Sequence, residues 1–235
     1  AGAEQFRKVR DIVLSDDSRR VVVISAAGKR TSDDHKLTDL LYLCHAHLTY
    51  GVSCADILAA IRSRFVSIRD ELDLSYRVED EFDAYAATLS RDTSVDELVS
   101  RGEYFTARLM AETLGYAFVD AADCVFFGFY GQFDRARTDA AIADALEKNG
   151  KIVLPGFYGR VPTGKIKVMT RGGSDITGAL AAAAVNADVY ENWTDVSGIL
   201  MADPRIVENP QPIDVLTYRE LRELSYMGAT VLHED

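Results

Sequence analysis

The sequence predicts an α/β fold in which a mostly parallel central sheet is covered on both faces by helices. The β-branched run Val21–Ile24 has no polar alternation, which is typical of a strand buried on both faces. In the second half of the chain, short apolar runs alternate with helical patterns, as in folds built from parallel strands and crossover helices. With 235 residues, 48% of them hydrophobic, the chain can bury one substantial core. In such a fold, ligands are expected in the loops at the strand ends.

The first half of the chain is mainly helical in pattern. Apolar residues recur at helical intervals over Ala3–Leu14, before the strand. Helical spacing returns over Lys36–Leu74, interrupted by turn-forming residues at Gly51–Ser53, and continues over Glu79–Leu89 and Val95–Leu114. We therefore expect a long helical insertion between the first strand and the rest of the sheet.

The second half of the chain alternates strands and helices. Strands are predicted at Ala117–Val119, Cys124–Phe127, Ile152–Leu154, Ile166–Met169 and Asp188–Trp193. Helices are predicted at Asp134–Lys148, Asp175–Val185 and Tyr218–Met227, with an irregular Asp- and Pro-rich loop over Asp195–Pro212. Asn149–Gly150 is a good C-terminal stop for the first of these helices.

Composition and charge narrow the classes of function. A formal net charge of −11 without any run of Lys and Arg argues against nucleic acid as a partner. No apolar stretch is long enough for a membrane span, and Ala1–Arg10 is too polar for a signal peptide, so we expect a cytoplasmic protein. Cys44, Cys54 and Cys124 form no CxxC pair and are expected to be reduced packing residues. His45 and His47 would point to different faces of a helix, so no metal site is predicted there.

One segment has the spacing of a phosphate-binding loop. Gly159–Lys165 fits the first seven positions of GxxxxGK[ST], but Ile166 replaces the hydroxyl residue that would hold magnesium. The residues that follow alternate like a strand instead of opening a helix. We interpret the segment as a hairpin turn.

The loop Thr170–Asp175 is a better candidate for binding an anion. It follows a strand and opens an alanine-rich helix; its two glycines allow close backbone approach, and Ser174 and Asp175 can cap the helix. The helix N-terminus offers free N–H groups to an anion. On spacing alone, an ordinary glycine-rich turn explains the pattern equally well. Arg171 favours the anion site, because a guanidinium beside free amides can hold a carboxylate or phosphate.

Two other polar segments are unusual. Gly102–Glu103 interrupts a helical run, where glycine is costly without a packing or functional reason. Trp193–Asp195 ends a predicted strand and leads to the turn Asp203–Arg205.

Taken together and in order, these segments resemble the aspartate kinase family of amino-acid kinases over nearly the whole chain. The matching segments are Val21–Ala26, Thr38–Leu41, Ser100–Glu103, Pro155–Gly159, Arg171–Asp175, Trp193–Gly198, Ala202–Arg205 and Gly228–His233. The resemblance implies a three-layer α/β/α sandwich. It also implies transfer of the γ-phosphoryl of magnesium ATP to the β-carboxylate of L-aspartate, the first step towards lysine, threonine and methionine.

The resemblance also implies roles for individual residues. Aspartate would bind near Ser25, Thr38, Glu103, Arg171 and Ser174. ATP, with Mg²⁺, would lie against Thr194, Asp195, Arg205, Thr230 and Val231. Asp175 would organise the reacting groups. The substrates would be the small molecules L-aspartate and ATP, and a homo-oligomer remains open.

The chain departs from the family pattern in three ways. It starts after the strand that carries a Lys-x-Gly-Gly motif, it has Thr230 where many relatives have lysine, and it stops before the ACT-type regulatory domains. We therefore expect residues 1–235 to form the catalytic domain with impaired activity. Two alternatives are another amino-acid kinase, acting on glutamate or N-acetylglutamate, and a non-catalytic ligand-binding fragment. The joint presence of Gly102–Glu103 and Arg171–Asp175 favours aspartate.

Overall fold

The structure is a computed structural model that describes residues 2–31, 33–169, 172–194, 198, 200–201 and 207–226. In chain order, its helices are α1 (Ala3–Leu14), α2 (Leu37–Tyr50), α3 (Ala55–Glu71), α4 (Val78–Ala86), α5 (Val95–Leu114), α6 (Ala121–Cys124), α7 (Arg135–Asn149), α8 (Gly173–Ala184) and α9 (Tyr218–Tyr226). Its strands are β1 (Val21–Ile24), β2 (Ala117–Phe118), β3 (Ile152–Pro155), β4 (Tyr158–Arg160) and β5 (Ile166–Val168).

The central sheet is parallel, in the order β1-β3-β2. Val21 lies opposite Ile152 and Ile24 opposite Pro155, while Ala117 lies opposite Ile152 on the other side of β3. Among the described residues, β1 is an edge strand whose second side pairs with no strand.

Two apolar clusters cover the two faces of this sheet. Val153 of β3 belongs to a cluster with α1 to α5, whereas its neighbours Ile152 and Leu154 belong to a cluster with α6, α7 and α8. This alternation follows from the period of two in a strand, and it makes the molecule an α/β/α sandwich as predicted.

Most of the predicted helices and strands are confirmed. Gly51, in the left-handed region at φ 68°, ends α2 at the predicted break, and Gly150 ends α7. The segment that resembles a phosphate-binding loop is a hairpin, because β4 and β5 pair antiparallel across it. None of the described helices is long and apolar enough to cross a membrane.

One predicted strand, Cys124–Phe127, is confirmed only in part, by isolated β-bridges from Phe126 to Arg160 and from Phe127 to Phe133, and a second is wrong. Cys124 ends the one-turn helix α6, which begins where the Asp120 carboxylate accepts a hydrogen bond from the Ala122 amide. Phe126 donates its amide to the Thr138 hydroxyl, whereas Phe127 donates its amide to the Arg160 carbonyl of β4. The segment Asp188–Trp193 has no strand structure.

The aromatic ring of Tyr158 anchors the hairpin to the rest of the core. Its side chain is completely buried, and its hydroxyl donates to Asp120 Oδ1 at 2.6 Å. The guanidinium of Arg101 lies 5.6 Å from the ring centre and the same distance from the ring of Tyr85. The hydroxyl of Tyr85, also buried, has no hydrogen-bond partner among the described residues.

These two tyrosines give a matched test of the hydrogen bond. We expect Tyr158→Phe to lower the free energy of unfolding by about 1–3 kcal/mol, because the carboxylate of Asp120 loses a buried donor. Tyr85→Phe removes the same atom without breaking a bond, so its effect should be near zero or slightly stabilising. Urea unfolding of both variants measures the difference, and equal losses would show that the Tyr158–Asp120 bond contributes nothing.

Candidate active site

A groove of about 1070 Å³ runs along the open edge of β1. Its floor is formed by β1 and the following loop, Ser25–Gly28, and its walls include α1, the first turns of α8 and the segment 185–194. Glu103 and Thr106 of α5 also line it. The groove therefore lies at the carboxyl end and along one side of a parallel strand, where ligands bind in open α/β sheets.

Helix α5 holds the loop that follows β1. Gly102 permits close contact, since a Cβ at this position would lie only 3.2 Å from the Cβ of Ala26 and 3.3 Å from Cδ1 of Leu41. Thr106 Oγ1 accepts a hydrogen bond from the Ala27 amide at 3.1 Å and donates to the Gly102 carbonyl at 2.6 Å. The glycine that looked out of place in the sequence thus has a packing reason.

Glu103 is a buried carboxyl group at the groove. It is 6% exposed, and its Oε2 has no hydrogen-bond partner among the described residues. Burial raises the pKa of Glu103 to about 7, although the backbone amides of Glu103 and Ala26 act in the opposite direction. A buried, unsatisfied carboxyl oxygen is costly unless a ligand supplies its partner, and the natural partner is a cationic or N–H donor group.

Helix α8 presents its N-terminus to the same groove. Gly172 is its N-cap, in the left-handed region at φ 77°, and no side chain caps the helix. The expectation that Ser174 or Asp175 caps α8 is therefore wrong, because both lie inside its first turn. The first amides of a helix have no partner within it and favour an anion.

The end of β3 lies directly against this turn. A Cβ on Gly156 would lie 2.6 Å from Ser174 Oγ and 2.8 Å from Ser174 Cα. The next residue, Phe157, has a φ of 79° and donates its amide to Thr177 Oγ1 at 3.1 Å. A bulky residue in the left-handed region is strained, so these contacts fix the backbone at the bottom of the site.

The segment 188–194 forms the opposite wall through its side chains. Asn192 Nδ2 donates to Asp175 Oδ1 at 3.2 Å, and the Tyr190 hydroxyl donates to the Asp175 carbonyl at 3.3 Å. Glu191 pairs with Arg19 at 2.7 Å and accepts from the indole of Trp193 at 3.0 Å. Asp175 is thus oriented by a segment 15 or more residues further along the chain.

The structure brings five of the predicted site residues to one groove: Ser25, Glu103, Ser174, Asp175 and Thr194. Thr38 lies in the first turn of α2, half-buried, and does not line the groove. Five predicted residues lie outside the described part of the chain: Arg171, Asp195, Arg205, Thr230 and Val231.

Sequence reasoning missed three residues that shape this site: Thr106, Gly156 and Asn192. Thr106 lies one helical turn after Gly102, so the spacing alone placed it on the same face. Gly156 lies in the matching segment Pro155–Gly159, whereas no signal marks Asn192, whose role depends on its contact with α8.

Comparison with known proteins agrees with this geometry. Residues 2–235 match the family described as the amino acid kinase family. The chain therefore belongs to the amino acid kinase family.

Within that family, the similar proteins are aspartokinases. The chain is 34% identical to aspartokinase 3 of Bacillus subtilis, covering 100% of this chain and 55% of the relative. It is 33% identical to the lysine-sensitive aspartokinase 3 of Escherichia coli, covering 99% of this chain and 55% of the relative.

Solved structures give the same result. The aspartate kinase of Clostridium acetobutylicum matches with a TM-score of 0.93 and 45% identity, covering 100% of this chain and 53% of the solved one. Aspartokinase III of E. coli, solved with aspartate and ADP, matches with a TM-score of 0.80 and 30% identity over 99% and 55%. The chain spans about half the length of the relatives it matches.

The raised pKa of Glu103 predicts how stability depends on pH. The folded protein retains the Glu103 proton between the ordinary pKa of about 4.5 and the folded value of about 7, whereas the unfolded chain releases it. The contribution of Glu103 to stability is therefore complete below pH 4.5 and lost as pH rises to 7. The loss amounts to roughly 3 kcal/mol.

Glu103→Gln removes this titration, so the stability of wild type relative to the variant should fall as pH rises from 5 to 8. Urea unfolding of both proteins at several pH values measures this difference. A pH-independent difference would contradict the raised pKa.

Proposed function

We propose that this chain is the catalytic region of an aspartate kinase, which transfers the γ-phosphoryl group of ATP to the β-carboxylate of L-aspartate to give 4-phospho-L-aspartate. The observation that supports this most is the meeting of Ser25, Glu103, Ser174 and Asp175 at one groove beside a helix N-terminus. The likeness to solved aspartate kinases over the whole chain supports the same substrate. The reaction belongs to the synthesis of lysine, threonine and methionine, in the cytoplasm.

Glu103 suits the amino group of an amino-acid substrate. Its Oε2 lacks a partner among the described residues, and an ammonium group would supply one. Pairing with a cation favours the charged carboxylate, so binding should lower the pKa of Glu103 from its raised value. Arg171, which precedes Gly172, would pair with a carboxylate of the substrate beside Ser174. Thr38, which does not line the groove, enters the proposed site through the family resemblance alone.

ATP suits the remainder of the groove. The N-terminus of α8 can face phosphate oxygens, and Asp175 lies at that end with its carboxylate held by Asn192. Thr194 lines the groove, and Asp195, Arg205, Thr230 and Val231 complete the nucleotide site in this proposal.

Mg²⁺ fits this donor set, because it is usually held by one or two carboxylates together with substrate phosphates. When bound, it would neutralise charge on the phosphates. Among the residues that the structure describes, we assign Asp175 as the carboxylate that would hold Mg²⁺.

For this phosphoryl transfer, the protein must mainly align the two substrates and neutralise the charge on the phosphates. The β-carboxylate of aspartate is already ionised at neutral pH, so no general base is needed. Its oxygen attacks the γ-phosphorus, a P–O bond forms, the bond to the bridging oxygen breaks, and ADP leaves with the electron pair. Asp175 organises the reacting groups, and the fixed amides of α8 face the charge that develops.

The domain proposal is that residues 1–235 form a catalytic domain that works with a preceding strand carrying Lys-x-Gly-Gly and with following ACT-type domains. The open edge of β1 and the groove beside it can accept one more extended segment. A homo-oligomer is part of the same proposal.

The decisive experiment traps the acyl phosphate as a hydroxamate. The complete product of the gene, supplied with magnesium ATP, should form hydroxamate from L-aspartate and not from L-glutamate or N-acetyl-L-glutamate. Asp175→Asn should lower kcat by about two to three orders of magnitude, because it removes charge at the reacting groups. The control Asp144→Asn changes an exposed carboxylate paired with Lys148 on α7 and should leave the rate unchanged.

Turnover of glutamate or N-acetylglutamate in place of aspartate would assign a different amino-acid kinase. Binding of aspartate by calorimetry without any acyl phosphate would make the protein a ligand-binding module and overturn the proposed reaction.

A second prediction concerns the Lys-x-Gly-Gly segment. Residues 1–235 alone should form acyl phosphate about two to three orders of magnitude more slowly than a protein that carries the segment upstream, because its lysine would neutralise phosphate charge. Aspartate binding should differ less, since Glu103 and Ser174 lie within the shorter chain. Equal rates would show that another residue, such as Lys165, supplies the charge.

A further inference from the structure

The loop between β1 and α2 is held at two separate places. Near β1, the Ala27 amide donates to Thr106 of α5. Further along, Arg64 of α3 reaches back to the loop just before α2 begins. The loop starts at Ser25 in the groove and ends at the turn that carries Thr38, so it connects two residues of the proposed aspartate site.

Asp34 is the centre of the second attachment. Its Oδ1 lies 2.6 Å from Arg64 Nη2 and accepts the His35 amide at 3.1 Å. Its Oδ2 accepts both the amide of Arg30, at 3.1 Å, and the Nε of Arg30, at 3.0 Å. One carboxylate therefore closes the loop upon itself and ties it to α3. Hydrogen bonds from Arg30, with the charge of Arg64, hold the pKa of Asp34 well below its usual range.

Arg64 is unusual among the arginines of α3. It is 7% exposed, and its Nη1 also donates to the His35 carbonyl at 2.8 Å. By contrast, Arg62 on the same helix forms an exposed two-bond pair with Asp83, at 2.7 and 2.8 Å. Burying a charged pair costs desolvation that the attraction often fails to offset, so such a pair is a poor device for stability alone. It does fix geometry, because a partner that moves leaves a buried charge unpaired.

We propose that Arg64, through Asp34, is a positioning residue for the amino-acid substrate: it fixes the loop between Ser25 and Thr38 and thereby sets the affinity for aspartate. The inference rests on the proposed aspartate kinase function. Arg64 itself touches no groove residue in this scheme and acts through the loop. The nucleotide is assigned to the other end of the groove, near Thr194, so its binding should be insensitive to Arg64.

The test uses steady-state kinetics of the complete gene product with four substitutions: Arg64→Met, Arg64→Lys, Asp34→Asn and the control Arg62→Met. Arg64→Met and Asp34→Asn should each raise the KM for aspartate about tenfold or more, with the KM for ATP within about twofold of wild type. Arg64→Lys keeps the charge but loses the two hydrogen bonds of the guanidinium, so its KM for aspartate should lie between those of wild type and Arg64→Met. Arg62→Met should leave both constants unchanged.

Trypsin gives a readout that is independent of activity. Lys29, Arg30 and Lys36 lie in the loop, so cleavage after them should be faster in Arg64→Met and Asp34→Asn than in wild type or Arg62→Met. If Arg64→Met does not fold, Asp34→Asn alone decides, because Asn keeps the size of Asp34 and its amide oxygen can still accept a hydrogen bond, while the charge that pairs with Arg64 is lost.

Each outcome has one meaning. Active wild type with an unchanged aspartate KM in Asp34→Asn would overturn the positioning role alone, even if the melting temperature fell. Equal increases in the KM for aspartate and for ATP would overturn it too, since they indicate general loosening. Wild type without acyl phosphate from aspartate would overturn the proposed function and this inference with it.

Discussion

The geometry of the site depends on the close approach of α5 to the loop after β1. Gly102 allows this approach, because any side chain there would press against Ala26 and Leu41. With the helix so near, Glu103 reaches the groove and Thr106 reaches the Ala27 amide. A helix interior normally disfavours glycine by about 1 kcal/mol relative to alanine, so α5 gives up some local stability for the contact. The place of the buried carboxyl group and of the start of the loop both depend on this one residue.

A chain with a net charge of −11 must still receive two anionic substrates in the proposed reaction. Its groove limits the electrostatic problem in two ways. The α8 amides supply positive potential without any mobile cation, and burial raises the pKa of Glu103 to about 7, so that only about half of the groups are ionised at neutral pH. An arriving ammonium group would reverse the second effect by favouring the carboxylate. The charge of the carboxylate would then be balanced by the bound ammonium group.

The sequence predicted those features that depend on local pattern or on a resemblance. Val21–Ile24 is recognisable because a β-branched run without polar alternation is typical of a buried strand. Gly51 and Gly150 are recognisable as helix ends because glycine can adopt backbone conformations that other residues avoid. Cys124–Phe127 has the composition of a strand, but its first residue ends the helical turn that the Asp120 cap starts, and only Phe126 and Phe127 form β-bridges. Asp188–Trp193 forms no strand, since Tyr190 and Asn192 bond to α8 and Glu191 to Arg19.

The site residues also divide into those that a local sequence pattern marks and those that depend on long-range contacts. Glu103, Ser174 and Asp175 lie in recognisable motifs, and the groove contains all three. Asn192 and Arg64 act through contacts between distant parts of the chain, which no local spacing reveals. Arg64 and Asp34, for example, are 30 residues apart in sequence. Predicting such residues requires knowledge of which helices pack together.

Trp193 gives this chain a built-in optical reporter. It is the single tryptophan among 235 residues, it lies at the wall of the groove, and 62% of its surface is exposed. Its indole donates to Glu191 and lies 6.0 Å from the guanidinium of Arg19, so its emission depends on the state of one wall. Selective excitation of tryptophan therefore reports on this wall of the groove without any label.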